Sequence, residues 1–142
     1  MSINDVMTKE VVVVDAAATL TDAAKLMRGL DVGVLPVRAG QRLVGVLTDR
    51  DITIRATAGG KDPESTSVGD VMTPNVVSCG QEDEVSDVAR TMQAHKLRRV
   101  VVLDDDHSVV GIVSLGDLAV RTDGPAAGKT LERVSEPDEK TL

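Results

Sequence analysis

Hydrophobic and polar positions follow one order in the first half of the chain, and the second half repeats it. β-Branched runs alternate with stretches whose apolar residues recur every three to four positions, which predicts strands and helices in turn. The first half predicts a strand at 11–14, a helix at 20–30, strands at 33–37 and 43–47, and a helix at 50–58. The second half predicts the same elements at 76–79, 85–95, 99–103, 109–113 and 118–121. Each half is therefore a β-α-β-β-α unit.

Apolar stripes on the two longer helices predict which faces are buried. The residues on these stripes are Leu20, Ala23, Ala24, Met27 and Leu30 in the first helix, and Val85, Val88, Ala89 and Met92 in the second. Thr19 with Asp22 forms a capping pattern for the first helix. A polar turn at 38–41 joins two strands into a hairpin, and a turn one residue longer at 104–108 does the same in the second half.

Both halves open on nearly the same seven residues. Ser2 to Thr8 returns as Ser67 to Thr73, an offset of 65 residues, and five of the seven positions are identical. The Ser-x-x-Asp spacing predicts a short capped helix in each copy, pinned to the fold by Met7 and Met72. The chain accordingly divides into a first repeat at 1–58, a linker at 59–66, a second repeat at 67–122 and a polar tail at 123–142, which we expect to be mobile.

Two polar corners connect the last strand of each half to its last helix. Each corner, Thr48 to Asp51 and Ser114 to Asp117, has a hydroxyl at its first position and a carboxylate three residues later. A carboxylate can accept hydrogen bonds from both vicinal hydroxyls of a ribose, and a hydroxyl can donate to a phosphate. Free N–H groups at the start of a helix also favour an anion. The alternative is that both carboxylates only cap their helices, because Ser/Thr-x-x-Asp is common at helix starts.

Composition narrows the classes of ligand and partner. The 142 residues include no Phe, Trp or Tyr, so the core is aliphatic and the chain lacks aromatic platforms for single-stranded nucleic acid. A formal charge of −7 disfavours DNA or RNA, while a local cluster of arginines could still hold a small anion. No signal peptide opens the chain and no apolar run approaches a membrane span. A single cysteine, Cys79, fits a reducing compartment, so we expect a cytoplasmic protein.

With the repeat laid out, the chain resembles a tandem pair of CBS domains, the Bateman module. The matching pieces are the two Asp-Val-Met-Thr openings, residues 33–37, residues 43–52, and residues 110–114 through Asp117 and Leu118. The resemblance covers residues 1 to about 122 and implies an α/β fold of the α+β type, in which two CBS repeats pack about a pseudo-twofold axis and leave two clefts. It also implies a stand-alone regulatory module that forms a homodimer through its helices. In the family the clefts bind AMP, ADP, ATP or S-adenosylmethionine, or in some members other ligands or none known, and no cofactor is obligatory.

The resemblance implies specific site residues. Asp51 and Asp117 would bind ribose, with Thr48 and Ser114 near the α-phosphate, and two copies of the corner in a CBS-like repeat favour this role over capping alone. The implied phosphate ligands are Arg50, Arg98 and Arg99, with Arg50 and Arg99 preferred. Since their counterparts are Gly116, Gly33 and Val34, we expect the two sites to differ in affinity or ligand. Residues implied near the adenine are Thr8, Val11, Val13, Thr73, Val76 and Ser78. Pro36 is a further implied ligand-binding residue, and it aligns with Val101, so the second copy departs from the proline usual in the family.

Two other classes of function are alternatives to ligand sensing. A ligand-independent dimerisation or scaffold module would act on an unknown protein partner through exposed helix faces or the tail. An enzyme is disfavoured because the sequence shows no Ser/His/Asp or Cys/His set and no glycine-rich phosphate loop. We expect no metal site, since His95 and His107 have no Cys or His at ligand spacing and residues 104–106 lack the rest of a calcium loop.

Overall fold

The computed structural model describes residues 1–121. Its elements in chain order are β1 Val14–Asp15, α1 Leu20–Leu30, β2 Val34–Ala39, β3 Arg42–Thr48, α2 Asp49–Asp51, β4 Thr73–Pro74, β5 Ser78–Gly80, α3 Val85–His95, β6 Arg99–Leu103, β7 Val109–Ser114 and α4 Leu115–Arg121. Two sheets form, with strand orders β1-β2-β3-β4 and β5-β6-β7. The predicted α+β class is confirmed, and the predicted tail at 123–142 lies outside the described residues.

Both long helices have the predicted bounds. The Thr19 side chain accepts a hydrogen bond from the Asp22 N–H at 3.2 Å at the start of α1, as its capping pattern predicts. α1 and α3 end where the next residue, Asp31 or Lys96, takes the left-handed conformation, with φ of 54° and 53°. That conformation turns the chain away from the helix.

The stripe predicted for α1 is too wide. Leu20, Ala23 and Met27 are buried, but Ala24 is exposed and Leu30 is 45% exposed. Ala24 and Leu30 lie on the two edges of the stripe, since successive residues turn by about 100° around a helix. In α3 the predicted Val88, Ala89 and Met92 are buried and Val85 packs partly against them.

The strands predicted at 11–14 and 76–79 begin later in the structure than predicted, so the predicted starts are wrong. β1 contains only Val14 and Asp15, which pair in parallel with Val37 and Arg38. β5 begins at Ser78 and continues to Gly80, in parallel with β6. β-Branched residues favour a strand only where a neighbouring strand can pair with their backbone, and these two strands have neighbours along two and three residues.

The first hairpin turn is tighter than predicted. β2 continues to Ala39 and β3 begins at Arg42, so only Gly40 and Gln41 form the turn. Gly40 has φ +63°, a conformation that two-residue hairpin turns require and glycine adopts easily. The second turn, 104–108, has the predicted length.

The last helix of each half starts earlier than predicted. α2 and α4 begin directly after Thr48 and Ser114, so the polar corners are themselves the first helical turns. α2 is α-helical only to Asp51 and continues as a π-helical turn at Ile52–Thr57. Short π-helical turns are rare and often lie at functional sites.

We name residues 1–10 and 67–76 the first and second lead-in segments. Each contains a 3-10 turn, at Ile3–Asp5 and Val68–Asp70. Thr8 of the first lead-in forms an antiparallel bridge with Ile112 in β7. Thr73–Pro74 of the second lead-in forms β4, which pairs with β3. Each lead-in therefore completes the sheet of the other sequence repeat.

The compact units consequently combine parts of both sequence repeats. Unit 1 contains 1–10, 77–105 and the described residues from 110, and unit 2 contains 11–76 and 106–109. Each unit has its own cluster of buried aliphatic side chains. Ile3, Val6 and Met7 of the first lead-in belong to the core of unit 1, while Val68 and Val71 of the second belong to the core of unit 2.

Where each lead-in crosses a strand, a methionine of the lead-in lies against a glycine of the strand: Met72 against Gly45 in β3, and Met7 against Gly111 in β7. A Cβ added at Gly45 would lie 2.8 Å from Met72 Sδ, and one added at Gly111 would lie 2.6 Å from Met7 Sδ. Only glycine admits so close an approach in a strand. The predicted pinning of the lead-ins by Met7 and Met72 is confirmed.

Candidate functional site

In unit 2, the corner at 48–51 is a reciprocal capping box. The Thr48 N–H donates to Asp51 Oδ2 at 3.0 Å, and the Asp51 N–H donates to Thr48 Oγ1 at 3.0 Å. Strand β3 delivers Thr48 in extended conformation and α2 then turns Asp51 back toward it. The N–H group predicted to favour an anion is thus already bonded at Asp51, whereas the Thr48 hydroxyl keeps its own proton for donation.

Asp51 has two further partners. The Thr73 hydroxyl donates to its two carboxylate oxygens at 3.1 and 3.2 Å, and Arg55 Nε lies 3.7 Å from Oδ1. Asp51 is 7% exposed and is the one buried charged side chain in the described part of the chain. A buried carboxylate needs such partners, because desolvation of an unpaired charge is costly.

Arg55 ties this corner to the second lead-in. Its guanidinium donates to the Met72 carbonyl at 3.0 Å and approaches the Val71 carbonyl at 3.4 Å. Arg55 is not among the site residues predicted from the sequence, although its spacing of four residues from Asp51 is an ordinary signal for a helical ion pair. Thr73 was predicted near adenine, and the structure places its hydroxyl on Asp51.

In unit 1, the corner at 114–117 repeats the capping box. The Ser114 N–H donates to Asp117 Oδ2 at 2.9 Å, and the Asp117 N–H donates to Ser114 Oγ at 3.0 Å. Asp117 is half-buried. Thr8 holds the backbone position equivalent to Thr73, but it is exposed, and among residues 1–121 no hydrogen bond joins its hydroxyl to Asp117.

Arginines predicted to bind phosphate are all exposed. The Leu115 N–H donates to the Arg98 carbonyl at 3.0 Å, which places the start of β6 beside the corner at 114–117. The Asp49 N–H makes the equivalent bond to Gly33 in unit 2, so that position carries no cation there. Arg50 extends from the first turn of α2. Within the described chain, the Arg98 and Arg99 guanidinium groups have no ion pair.

Residues predicted near the adenine divide between the units. Val11, Val13, Thr73 and Val76 lie in unit 2 with Asp51, and Thr8 and Ser78 lie in unit 1 with Asp117. The three valines are half-buried and Ser78 is exposed. Pro36 is buried within β2 of unit 2. Beside Thr8, an open depression of about 510 Å³ is lined by Asn4, Asp5, Met7, Thr8, Lys9 and Glu10.

Neither a metal cluster nor a membrane span is found within residues 1–121. No three His, Cys, Asp or Glu side chains of this part of the chain are grouped so that they could hold a metal ion. Its helices are all too short or too polar to cross a bilayer.

Cys79 lies in β5 and is half-buried. Burial, assisted by the Asp83 carboxylate, raises the pKa of the thiol to about 12. Because the thiolate is the reactive form, we expect the native protein to react with a disulfide reagent at pH 8 at least about a hundredfold more slowly than the urea-unfolded protein. Equal rates would contradict this assignment.

The same raised pKa predicts how stability depends on pH. Above pH 9.0, the ordinary value, the unfolded thiol loses its proton while the native thiol keeps it up to about pH 12. The native state then binds more protons, so the Cys79 contribution to the free energy of unfolding decreases as pH rises through this window. Urea unfolding of Cys79→Ala should lack this part of the decrease.

Comparison with known proteins agrees with the repeat. The CBS domain family profile matches residues 3–56 and 68–121. The CBS domain-containing protein YhcV of Bacillus subtilis is 40% identical over 135 residues, covering 94% of this chain and 95% of the relative. Hypoxic response protein 1 of Mycobacterium tuberculosis is 37% identical over 116 residues, with 81% and 80% covered.

Solved structures give the same result. A crystal structure of hypoxic response protein I with two coordinated zinc ions has a TM-score of 0.78 at 35% identity, covering 87% of this chain and all of that one. The CBS domain pair of protein MJ0100, in complex with 5′-methylthioadenosine and S-adenosyl-L-methionine, has a TM-score of 0.73 at 28% identity, covering 85% and 94%. With the family profile matched twice along most of its described length, the chain belongs to the CBS domain family as a tandem pair.

Proposed function

We propose that this CBS pair is a non-enzymatic regulatory module that binds adenosine-containing ligands and signals to a protein partner as a homodimer. The observation that carries the proposal is the pair of corners, in which a hydroxyl at the end of a strand and a carboxylate in the first turn of the next helix bond reciprocally in both units. The complex of the MJ0100 pair with two adenosine derivatives supports this ligand class.

Each corner offers the groups that a nucleoside requires. The proposed role of Asp51 and Asp117 is to accept hydrogen bonds from the two ribose hydroxyls, which is selective because one carboxylate can accept both. Thr48 and Ser114 keep a hydroxyl proton for the α-phosphate, since each hydroxyl oxygen already accepts from the backbone. Arg50, Arg98 and Arg99 would neutralise phosphate charge.

Adenine would be held by aliphatic contacts. The proposed contacts are Val11, Val13, Thr73, Val76 and Pro36 in one unit and Thr8 and Ser78 in the other. Without aromatic residues, this chain must hold the ring through van der Waals contacts and backbone hydrogen bonds.

The absence of aromatic residues allows a direct binding test. The protein hardly absorbs from 260 to 280 nm, so equilibrium dialysis against AMP, ADP, ATP or S-adenosylmethionine can be followed by adenine absorbance. We expect at least one of them to bind. Asp117→Ala should weaken binding by about 10- to 100-fold, because the lost hydrogen bonds involve an ionised acceptor.

A matched control separates the site from general charge. Asp105→Ala removes an exposed carboxylate from the turn after β6 and should leave the dissociation constant unchanged. If none of the four compounds binds the wild-type protein, the proposal is wrong.

A second candidate is a ligand-independent dimerisation or scaffold module. Its support is the outer face of α1, where Leu26 and Leu30 are 36% and 45% exposed, followed by Val32 at 40%. Adjacent exposed apolar side chains are typical of interaction surfaces. A dimer in sedimentation velocity that neither binds the four compounds nor gains thermal stability from them would favour this candidate.

A further inference from the structure

The two corners differ in how fully their carboxylates are occupied. Asp51 Oδ1 accepts from Thr73 and faces Arg55, and Oδ2 accepts from Thr48 and Thr73. Asp117 Oδ2 accepts from the Ser114 N–H, and within the described residues Oδ1 has no hydrogen bond. Asp51 is only 7% exposed and is covered by the Thr73 hydroxyl and the Arg55 side chain, so a ribose reaches it only if these groups move aside. Asp117 is half-buried, and because an ionised carboxylate has about four acceptor positions it can receive two ribose hydroxyls.

A difference in side-chain contacts produces this asymmetry. Thr73 and Thr8 occupy equivalent places, opposite Val46 in β3 and Ile112 in β7, but only the Thr73 hydroxyl reaches a carboxylate. Arg55 follows Asp51 within the π-helical turn and closes the contact from the other side. The sequence places Arg121 at the same spacing after Asp117, and its side chain lies outside the described atoms.

Charge near the two corners also favours the corner at 114–117 as the site for an anion. The corner at 48–51 carries Asp49 and Arg50 where the other carries Leu115 and Gly116. Arg98 and Arg99 stand in unit 1 where unit 2 has Gly33 and Val34. The Arg98 carbonyl accepts from the Leu115 N–H, so the start of β6 brings a basic residue beside the corner at 114–117, whereas Gly33 has this place beside the corner at 48–51, which also carries the additional carboxylate of Asp49.

We infer that the corner at 114–117 is the open nucleotide site and that Thr73 and Arg55 form a latch which keeps the corner at 48–51 closed. This inference rests on the proposed function. A ligand at Asp51 must displace the Thr73 hydroxyl and the Arg55 side chain, so its apparent affinity is reduced by the fraction of molecules in which the latch is open.

Opening the latch also gives the second site a means of signalling. Arg55 holds the Val71 and Met72 carbonyls, and Thr73 lies at the start of β4. Once Arg55 leaves Asp51, the second lead-in loses side-chain contacts with the π-helical turn. Ligand at Asp51 is thereby coupled to the mobility of residues 71–74, while ligand at Asp117 is not.

Equilibrium dialysis with AMP and ATP tests the inference on the full chain. The wild type should show one tight and one weaker site. Asp117→Asn should remove the tight site and Asp51→Asn should retain it. Thr73→Val, which keeps the side-chain shape but removes the latch hydroxyl, should tighten the weaker site about tenfold.

Thr91→Val is the matched control, because the Thr91 hydroxyl lies in α3 and donates to the Asp87 carbonyl of the same helix. It should tighten neither site. Hydrogen exchange at Val71 and Met72 should rise when AMP fills both sites and stay low when only the tight site is filled. Thermal unfolding of Thr73→Val confirms that the variant is folded.

The outcomes separate this inference from the proposed function. Two sites of equal affinity, or tight binding lost in Asp51→Asn and kept in Asp117→Asn, would overturn the latch while leaving an adenosine-binding module. A Thr73→Val protein whose weaker site gains nothing would also overturn it. If neither AMP, ADP, ATP nor S-adenosylmethionine binds the wild type, the proposed function fails and the latch fails with it.

Discussion

Deleting residues 1–8 is expected to unfold the sheet β5-β6-β7 in preference to the sheet of β2 and β3. The deletion removes Ile3, Val6 and Met7, each at most 3% exposed in the core of unit 1. Burial of an aliphatic side chain contributes about 2 kcal/mol, so roughly 6 kcal/mol is lost. That loss is comparable to the whole free energy of unfolding of many domains.

Hydrogen exchange measured by mass spectrometry can locate this effect, since peptides from β6 and β7 report on unit 1 and those from β2 and β3 on unit 2. Ile3→Ala and Val68→Ala are a matched pair, because both residues are fully buried at equivalent lead-in positions. Ile3→Ala should raise exchange mainly in β6 and β7, and Val68→Ala mainly in β2 and β3. The reverse pattern would show that each lead-in packs on its own sequence repeat.

Gly45→Ala and Gly111→Ala, at the two strand glycines that a lead-in crosses, should each lower the free energy of unfolding by about 3 kcal/mol. This value is at the upper end of the cost of overpacking. A Cβ at Gly45 would lie 2.5 Å from the Thr73 carbonyl oxygen, and one at Gly111 would lie 2.8 Å from the Thr8 carbonyl oxygen. In both cases the added Cβ meets a backbone carbonyl of a residue that pairs with the strand. A paired backbone carbonyl cannot rotate away as a side chain can. The lead-in must shift, and its buried contacts weaken.

Gly29→Ala is the control for these substitutions. Nothing lies within 4 Å of a Cβ at that position in α1, and alanine is favoured over glycine in a helix by about 1 kcal/mol. Urea unfolding followed by circular dichroism should therefore give opposite signs for the same chemical change. If Gly45→Ala or Gly111→Ala proved as stable as the wild type, the close crossing of lead-in and strand would be wrong.

Local signals in the sequence predicted α1 and α3 well. The apolar stripe of each helix, and the Thr19 cap of α1, depend on residues a few positions apart, and tertiary contacts did not oppose them. The strands at 11–14 and 76–79 were less predictable, because a β-branched run favours extended backbone but the partner strand decides how far pairing extends.

The candidate site was predictable in its residue types and not in its contacts. Asp51 and Asp117 were identified from their place in a repeated corner, and both capping boxes follow from the Ser/Thr-x-x-Asp spacing. Arg55 was missed, and its contact with the Met72 carbonyl spans 17 residues. No local pattern predicts a side-chain contact over that separation.

The sequence predicts that one β-α-β-β-α unit occurs twice, that each copy has a hydroxyl–carboxylate corner before its last helix, and that the chain resembles a CBS pair. These properties depend on residues close together along the chain. That each lead-in joins the sheet of the other repeat is seen only in the folded protein. Two nearly identical segments fit either sheet by sequence alone, and burial of Ile3 and Val68 in separate cores decides between them. The same long-range packing placed the Thr73 hydroxyl on Asp51 and left Thr8 exposed, which made two similar corners chemically different.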